Sequence, residues 1–290
     1  EIIFLHATQP SSTRKRMNLP ICLLVDNGSL RPEAIFSLRR VAQKLSLETP
    51  FKVIPVGLLH SNKVDSALLD GVSGETIGTF LSDEQPNTQN ELMVLPFFFG
   101  PSRGITEWLI EKLEEWKSRD STRSYRVLDP LFKGNELQLA QALQDEIENT
   151  SNLQSPEKYK VALVDHGTPV QVVNQVREAV GDQLKDLLSE QAIGFSTCSM
   201  ERREGDEYSF NDPLLENLLI EWAEGGATQV IVALFFLLSG RHAGKEGDLA
   251  EICTKVKKQF PAINILLTNP LGEHEIIFKI LCERLHASKN

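Results

Sequence analysis

Apolar positions along the chain fall into short unbroken runs separated by amphipathic stretches. In the first half, Ile21–Val25, Phe51–Val56, Leu92–Phe99 and Tyr125–Leu128 read as strands. Helices are predicted over about Pro32–Leu45, Ile105–Lys117 and Asn135–Ile147, with a mixed segment running to about Ser82. In the second half the strands are Val161–Val164, Ala192–Ser196, Val230–Leu237 and Ile263–Leu267. The helices there cover about Val170–Leu188, Pro213–Glu224, Lys245–Lys258 and Glu273–Leu285. Most strand runs are apolar throughout rather than alternating, as strands covered on both faces must be. Their alternation with helices predicts an α/β fold of parallel βαβ units, with a parallel sheet flanked by helices in each half.

The two halves are one pattern written twice. Val25-Asp26-Asn27-Gly28-Ser29 matches Val164-Asp165-His166-Gly167-Thr168, at an offset of 139 from Asp26 to Asp165. Leu128-Asp129-Pro130-Leu131 matches Leu267-Thr268-Asn269-Pro270-Leu271 at 140, from Pro130 to Pro270, and Phe97-Phe98 matches Phe235-Phe236 at 138. A nearly constant offset at three anchors across a domain's length is the mark of tandem duplication. The polar stretch Asn149–Lys158 reads as the linker. The expected organisation is an extension over 1–19 and two similar domains over 20–150 and 158–290.

Composition narrows the class. With 290 residues, 41% apolar and 24% charged, the chain is ordinary globular protein, long enough for two cores. A net charge of −10 disfavours binding along a nucleic-acid backbone. Cys22, Cys198, Cys253 and Cys282 are far apart and include no C-x-x-C pair, so they fit free thiols in a reducing compartment rather than a zinc site or a disulfide framework. The longest wholly apolar run, Val230–Leu238, is too short to span a bilayer, and no membrane association is expected. The first nineteen residues, with Arg14-Lys15-Arg16, read as an exposed terminus in a cytoplasmic protein. The other reading is the remnant of a targeting segment, with a plastid stroma as destination.

In parallel α/β sheets, chemistry gathers beyond the carboxyl ends of the strands. Four clusters of the second half fall there: Asp165-His166-Gly167-Thr168, Ser199-Met200-Glu201-Arg202-Arg203-Glu204-Gly205, Ser239-Gly240-Arg241-His242-Ala243-Gly244-Lys245, and Pro270-Leu271-Gly272-Glu273-His274. A lone histidine after a strand is usually a turn or capping residue. Two of them after two strands of one sheet, each near a glycine that permits close backbone approach, point to a site. Glu201 alone would pass for a solvated carboxylate, Arg202-Arg203 for surface charge, and His274 for a residue of a first helical turn.

Taken together and in this order, these motifs resemble the CbiX-type sirohydrochlorin chelatases of the class II chelatase group. The resemblance covers the second half nearly end to end and the first half more weakly. It implies two stacked chelatase domains facing a central cleft. It also implies insertion of a divalent metal, Co²⁺ or Fe²⁺, into a sirohydrochlorin-like tetrapyrrole without ATP, as in cobalamin or siroheme biosynthesis. On the matching positions His166 and His242 become the metal-handling and proton-accepting pair, and Glu201 their acidic partner. Arg202, Arg203, Arg241 and Lys245, with Ser239 and Gly240, would hold the substrate. These residue types suit the chemistry, since metallation expels two pyrrole protons and imidazole titrates near neutrality. Imidazole is also a good ligand for Fe²⁺, Co²⁺ or Ni²⁺, so it could hold the metal in passing, as a substrate and not as a resident cofactor. Guanidinium groups pair well with the macrocycle's carboxylates.

The first half departs from the pattern. Asn27 stands where His166 stands, and Gly100-Pro101-Ser102-Arg103-Gly104 offers no histidine opposite His242. His60, after the second strand, reads as structural. One active half beside one degenerate half is therefore expected, and the internal pseudo-dimer suits a monomer. The competing reading is a non-catalytic tetrapyrrole- or metal-binding protein derived from a chelatase, though the retained histidines and Glu201 favour the enzyme. A nucleotide-binding reading lacks any G-x-G-x-x-G or Walker pattern after a strand.

Overall fold

The computed structural model describes residues 19–82, 91–154, 158–244 and 246–288. The leader and Lys245 lie outside the described residues. The first half runs β1 (Ile21–Asp26), α1 (Pro32–Glu48), β2 (Lys52–Gly57), α2 (Ile77–Phe80), β3 (Glu91–Pro96), α3 (Leu109–Ser118), β4 (Ser124–Val127) and α4 (Gln138–Gln154). The second runs β5 (Tyr159–Asp165), α5 (Gln171–Leu187), β6 (Ala192–Ser199), α6 (Leu215–Glu224), β7 (Gln229–Leu234), α7 (Asp248–Gln259), β8 (Asn264–Leu267) and α8 (Glu275–Ala287).

Each half forms a four-stranded parallel sheet, in the orders β2-β1-β3-β4 and β6-β5-β7-β8. The shared strand order is the duplication seen as architecture. It places β1 and β5 at the centre of their sheets, where the continuous apolar runs predict strands buried on both faces. Successive side chains of a strand point to opposite faces, and the cores divide accordingly. Cys22 and Leu24 of β1, with Val161 and Leu163 of β5, pack with residues of α1, α4, α5 and α8 in one core common to both halves. Ile21, Leu23 and Val25 face α2 and α3, whereas Ala162 and Val164 face α6 and α7. The helices α1, α4, α5 and α8 thus form a middle layer between the two sheets.

Several boundaries differ from expectation. Helix α4 continues to Gln154, through most of the expected linker, and β5 begins at Tyr159. The polar Asn-Thr-Ser stretch that suggested a linker is the last turns of a helix. The helix expected from Lys245 starts at Asp248, because the loop after β7 is longer than its glycines suggest. The helix expected from Ile105 opens with a π-helical turn, Gly104–Trp108, before α3. Cys22, Cys198 and Cys253 are buried free thiols and Cys282 is half-buried. Burial pushes the Cys22 and Cys253 thiols up to about 12, which keeps them unreactive. No helix among the described residues is long and apolar enough to cross a membrane.

Candidate functional site

The carboxyl ends of the central strands of both sheets open onto one cavity of about 920 Å³. The second half contributes Asp165, His166, Gly167, Thr168, Arg241 and His242, and the first half contributes Asp26, Asn27, Ser29, Arg31 and His60. Its apolar walls include Phe97, Phe98, Phe99, Phe235 and Phe236. The rings of Phe99 and Phe235, one from each half, stack at 3.9 Å between centroids and 14° between planes.

His166 is placed by the tight turn that follows β5. Gly167 has φ of +90°, and a Cβ there would sit 1.9 Å from the Glu201 carbonyl oxygen, so only glycine permits the approach. In return, the Glu201 amide donates to the His166 carbonyl at 3.2 Å. The turn is anchored beneath by a buried network. The Asp165 carboxylate accepts from the Gly167 amide at 3.1 Å, Ser199 Oγ at 2.8 Å and Arg177 Nη1 at 2.9 Å. Arg177, 1% exposed, also pairs with Glu178 and bonds Ser199. Asn211 accepts from the Thr168 amide and donates to its carbonyl, tying down the other side of the turn.

His242 follows β7 and stands beside His166, with ring centroids 4.5 Å apart and planes at 62°. Its Nδ1 is 2.6 Å from Oδ2 of Asp248, the first residue of α7. With the Nδ1 proton given to that carboxylate, the Nε2 lone pair is free to accept a proton or a metal ion. His166 Nδ1 lies 3.1 Å from the Gly167 carbonyl, while Nε2 lies 3.4 Å from Glu201 Oε1. A carbonyl cannot donate, so Nδ1 carries the hydrogen and the Nε2 lone pair faces a carboxylate. That arrangement is favourable only with a positive charge, a proton or a metal ion, between them. Among the described residues no group of three or more His, Cys, Asp or Glu side chains is arranged to hold a metal ion. A pair of imidazoles with one carboxylate can hand an ion on; a closed cage would keep it.

The other sequence-predicted residues scatter. Arg241 and Gly240 line the cavity, and Ser239 is not among its lining residues. Arg202 is bound through Nε to Asp212 at 2.9 Å and through Nη1 to the Arg203 and Gly205 carbonyls. Arg203 lies over the Tyr208 ring, and neither arginine lines the cavity. The basic pair of the motif therefore braces its own loop. His274 caps α8, accepting from the Ile276 amide, and approaches Asp145 of α4 at 3.5 Å. His60 lines the cavity from a backbone with φ of +70°. Sequence reasoning gave no role to Asp248, Arg177, Ser199 or Arg31. Asp248 looks like an ordinary helix start; Arg177 interrupts the apolar stripe Val173, Val176, Val180, which is the one signal it offers.

Backbone hydrogen bonds align the first half with the second. The Leu58 and Leu59 amides donate to the Asp26 and Asn27 carbonyls as those of Met200 and Glu201 donate to Asp165 and His166. Leu59 therefore occupies the place of Glu201. A Cβ on Gly104 would lie 3.9 Å from Asn27 Oδ1, so Gly104 sits beside Asn27 as His242 sits beside His166. The first-half counterparts of His166, Glu201 and His242 carry no acid–base group.

Known proteins share this fold. Residues 160–288 match the CbiX family model. The second half is similar to the CbiX family. The resemblance to CbiX-type class II chelatases seen in the sequence therefore holds. The chloroplastic sirohydrochlorin ferrochelatase of Arabidopsis thaliana is 24% identical over 125 residues, 43% of this chain and 50% of the relative. The match thus spans half the length of that relative. The fold of the whole chain is similar to SirB from Bacillus subtilis with Fe³⁺, at TM-score 0.67 and 14% identity, covering 93% of this chain and 95% of the other. SirB of Bacillus subtilis subspecies spizizenii in complex with cobalt gives TM-score 0.64 at 12% identity, covering 93% and 94%. Both halves of the chain are thus included in the fold that it shares with those proteins.

Proposed function

We propose that the protein inserts a divalent metal, Co²⁺ or Fe²⁺, into sirohydrochlorin or a related tetrapyrrole without ATP, as in cobalamin or siroheme biosynthesis. The observation that carries the reading is the His166–His242 pair, 4.5 Å apart in a cavity of about 920 Å³, each imidazole held by its own partner. Such a volume lies at the upper end of small-molecule sites, and the phenylalanine walls suit a flat conjugated ring.

The chemistry follows from the residues. His166 and His242, with Glu201 beside them, would take up the metal ion only in passing, their nitrogen and oxygen atoms replacing part of its water. Each pyrrole N–H that meets the metal loses its proton while the electron pair stays on nitrogen to bind the ion. Two protons leave for each metal inserted. An imidazole held by Asp248 is a competent acceptor for one of them, since the carboxylate stabilises the imidazolium that forms. Among the described residues, Arg241 from one half and Arg31 from the other are the arginines of the cavity wall, and they would hold the macrocycle's carboxylates. The relatives described with Fe³⁺ and with cobalt support a metal of this class.

The test is an absorbance scan of metal-free sirohydrochlorin with Co²⁺, Fe²⁺ and Ni²⁺, with and without protein. Acceleration of the spectral change of metallation by catalytic amounts of protein is the expected result. Stoichiometric binding of the macrocycle with no acceleration would contradict it and leave a tetrapyrrole-binding protein.

A further inference from the structure

Asp26 ends β1 as Asp165 ends β5, yet the two carboxyls have opposite surroundings. Asp165 is held by Arg177, Ser199 and the Gly167 amide. Asp26 keeps only the last of these contacts, accepting from the Gly28 amide at 2.8 Å. The register sets Gly57 beside Asp26, where it sets Ser199 beside Asp165. The seventh residue of α1 is Leu38, where the seventh residue of α5 is Arg177. Nor could a side chain return at position 57, because a Cβ there would sit 2.6 Å from Ser61 Oγ and 2.8 Å from the Gly28 Cα. The result is a carboxyl 7% exposed, on the cavity wall, with no cation paired to it among the described residues.

An anion without counter-charge or solvent is disfavoured, and burial pushes Asp26 up to about 7. The titratable groups that share its cavity are Arg31, His60, Asp165, His166, Arg241 and His242. Of the charged groups on the elements packed against β1, Arg39 is committed to the Leu69 and Val72 carbonyls and Arg40 to Glu273. Glu33 starts α1, and Lys52 and Glu91 start β2 and β3, at the far end of the sheet from Asp26.

We propose that Asp26 is the proton acceptor of the first-half wall, taking one of the two pyrrole protons released as the metal enters from the His166–His242 side. This rests on the chelatase reading. In the step, a pyrrole N–H bond breaks, its electron pair stays on nitrogen and closes the nitrogen–metal bond, and the proton passes to the Asp26 carboxylate. From there it leaves to water through the cavity mouth, while the second proton leaves by an imidazole. The first half has no histidine at the positions of His166 and His242 but, by lacking the partners of Asp26 as well, has a base that titrates in the useful range. The rival role for the same carboxyl is a permanently neutral hydrogen-bond donor to the macrocycle. Asparagine separates the two, since it can donate but cannot take a proton.

The experiment measures Co²⁺ insertion into metal-free sirohydrochlorin by absorbance, from pH 6 to 9, for the wild-type chain, Asp26→Asn and Asp26→Ser, with folding checked by circular dichroism. The expected result is a loss of about 10²-fold or more in kcat for both variants, at a KM for the macrocycle within about threefold of wild type. Their profiles should also lack the wild-type limb that rises through about pH 7. Wild-type kcat and an unchanged profile in Asp26→Asn would overturn the proposal, as would a loss confined to Asp26→Ser, which marks a donor or a space-filler. If Asp26→Asn does not fold, the pH profile of Asp26→Ser decides: loss of the limb that rises through about pH 7 supports the proposal, and a limb kept at wild-type position overturns it. A wild-type chain that inserts no metal defeats the chelatase reading and this one with it, and is distinguished because the failure lies in the wild type.

Discussion

His242 owes its orientation to a residue six positions further on. Asp248 Oδ2 fixes Nδ1 at 2.6 Å, and a ring held this way presents Nε2 to the cavity. Carboxylates behind metal-handling imidazoles typically contribute 10–100-fold, so Asp248→Ala should lower kcat for metal insertion by about that factor. Steady-state rates at saturating metal, with circular dichroism as the control, check this. At Asp26 the prediction concerns stability. Its folded-state pKa, about 7, is raised above the ordinary 3.8 by burial. The contribution of a group raised in this way is full below the unfolded value and is lost as pH rises through the folded one. Asp26→Asn should therefore match wild type near pH 4 and become the more stable chain as pH approaches 8, by about 4 kcal/mol for a shift of about three units. Urea unfolding at several pH values reads the difference, and a difference that does not change with pH would mean the carboxyl stays ionised in the fold.

Among the elements, the turn after β5 is the most tightly determined. Its support is the Asp165–Arg177–Ser199 network, which lies in the interior next to the apolar face of α5. Removing one member of a buried ion pair leaves the other uncompensated, so Arg177→Met should cost about 3–5 kcal/mol, measured by denaturant unfolding. The equivalent change in the first half is already present as Leu38, and there the buried carboxyl of Asp26 is raised to about 7 by its burial. The doubled α/β pattern and the positions of His166 and His242 are legible in the sequence because each histidine follows a continuous apolar run, whereas Glu201 follows the mixed strand Ala192–Ser199 and stands out only by its motif. The end of α4 is not legible, since Asn149-Thr150-Ser151 reads as a loop until tertiary packing extends the helix through it. Nor are the roles of Arg202 and Arg203 legible. Spacing along a loop says which residues are near a site, but Asp212 and the carbonyls that draw Arg202 away come from the fold of that loop. Leu59 in the place of Glu201 is likewise invisible without backbone hydrogen bonds, because only Asn27 stands out against the repeat.

At the scale of the molecule, the two halves share one core and are locked at its rim. Arg40 bonds Glu273 at 2.8 and 2.6 Å, Lys44 bonds Glu275 at 2.6 Å, and Arg284 reaches the Pro130 and Leu131 carbonyls and Glu136. Residues 158–290 alone would expose the middle-layer faces of α5 and α8, so the isolated second half should be poorly soluble, while the whole chain unfolds in one transition by calorimetry. Two domains that unfold separately would contradict the shared core. The degenerate half is thus a wall of the cavity, and it also brings a cation. Arg31→Ala and Arg241→Ala should each raise KM for the polycarboxylate macrocycle by roughly tenfold, as loss of a partly shielded charged hydrogen bond does, with a smaller effect at high salt. Arg202→Ala should leave KM near wild type, because its guanidinium is committed within its own loop. The most direct test of the central claim, metal transfer by an imidazole pair in one half only, is the rate of Co²⁺ insertion into sirohydrochlorin by His166→Ala, His242→Ala and Asn27→Ala side by side at saturating metal. Losses of about 10²–10⁴-fold in both histidine variants, with Asn27→Ala within a few-fold of wild type, are the predicted result. Equal rates in all three would contradict it.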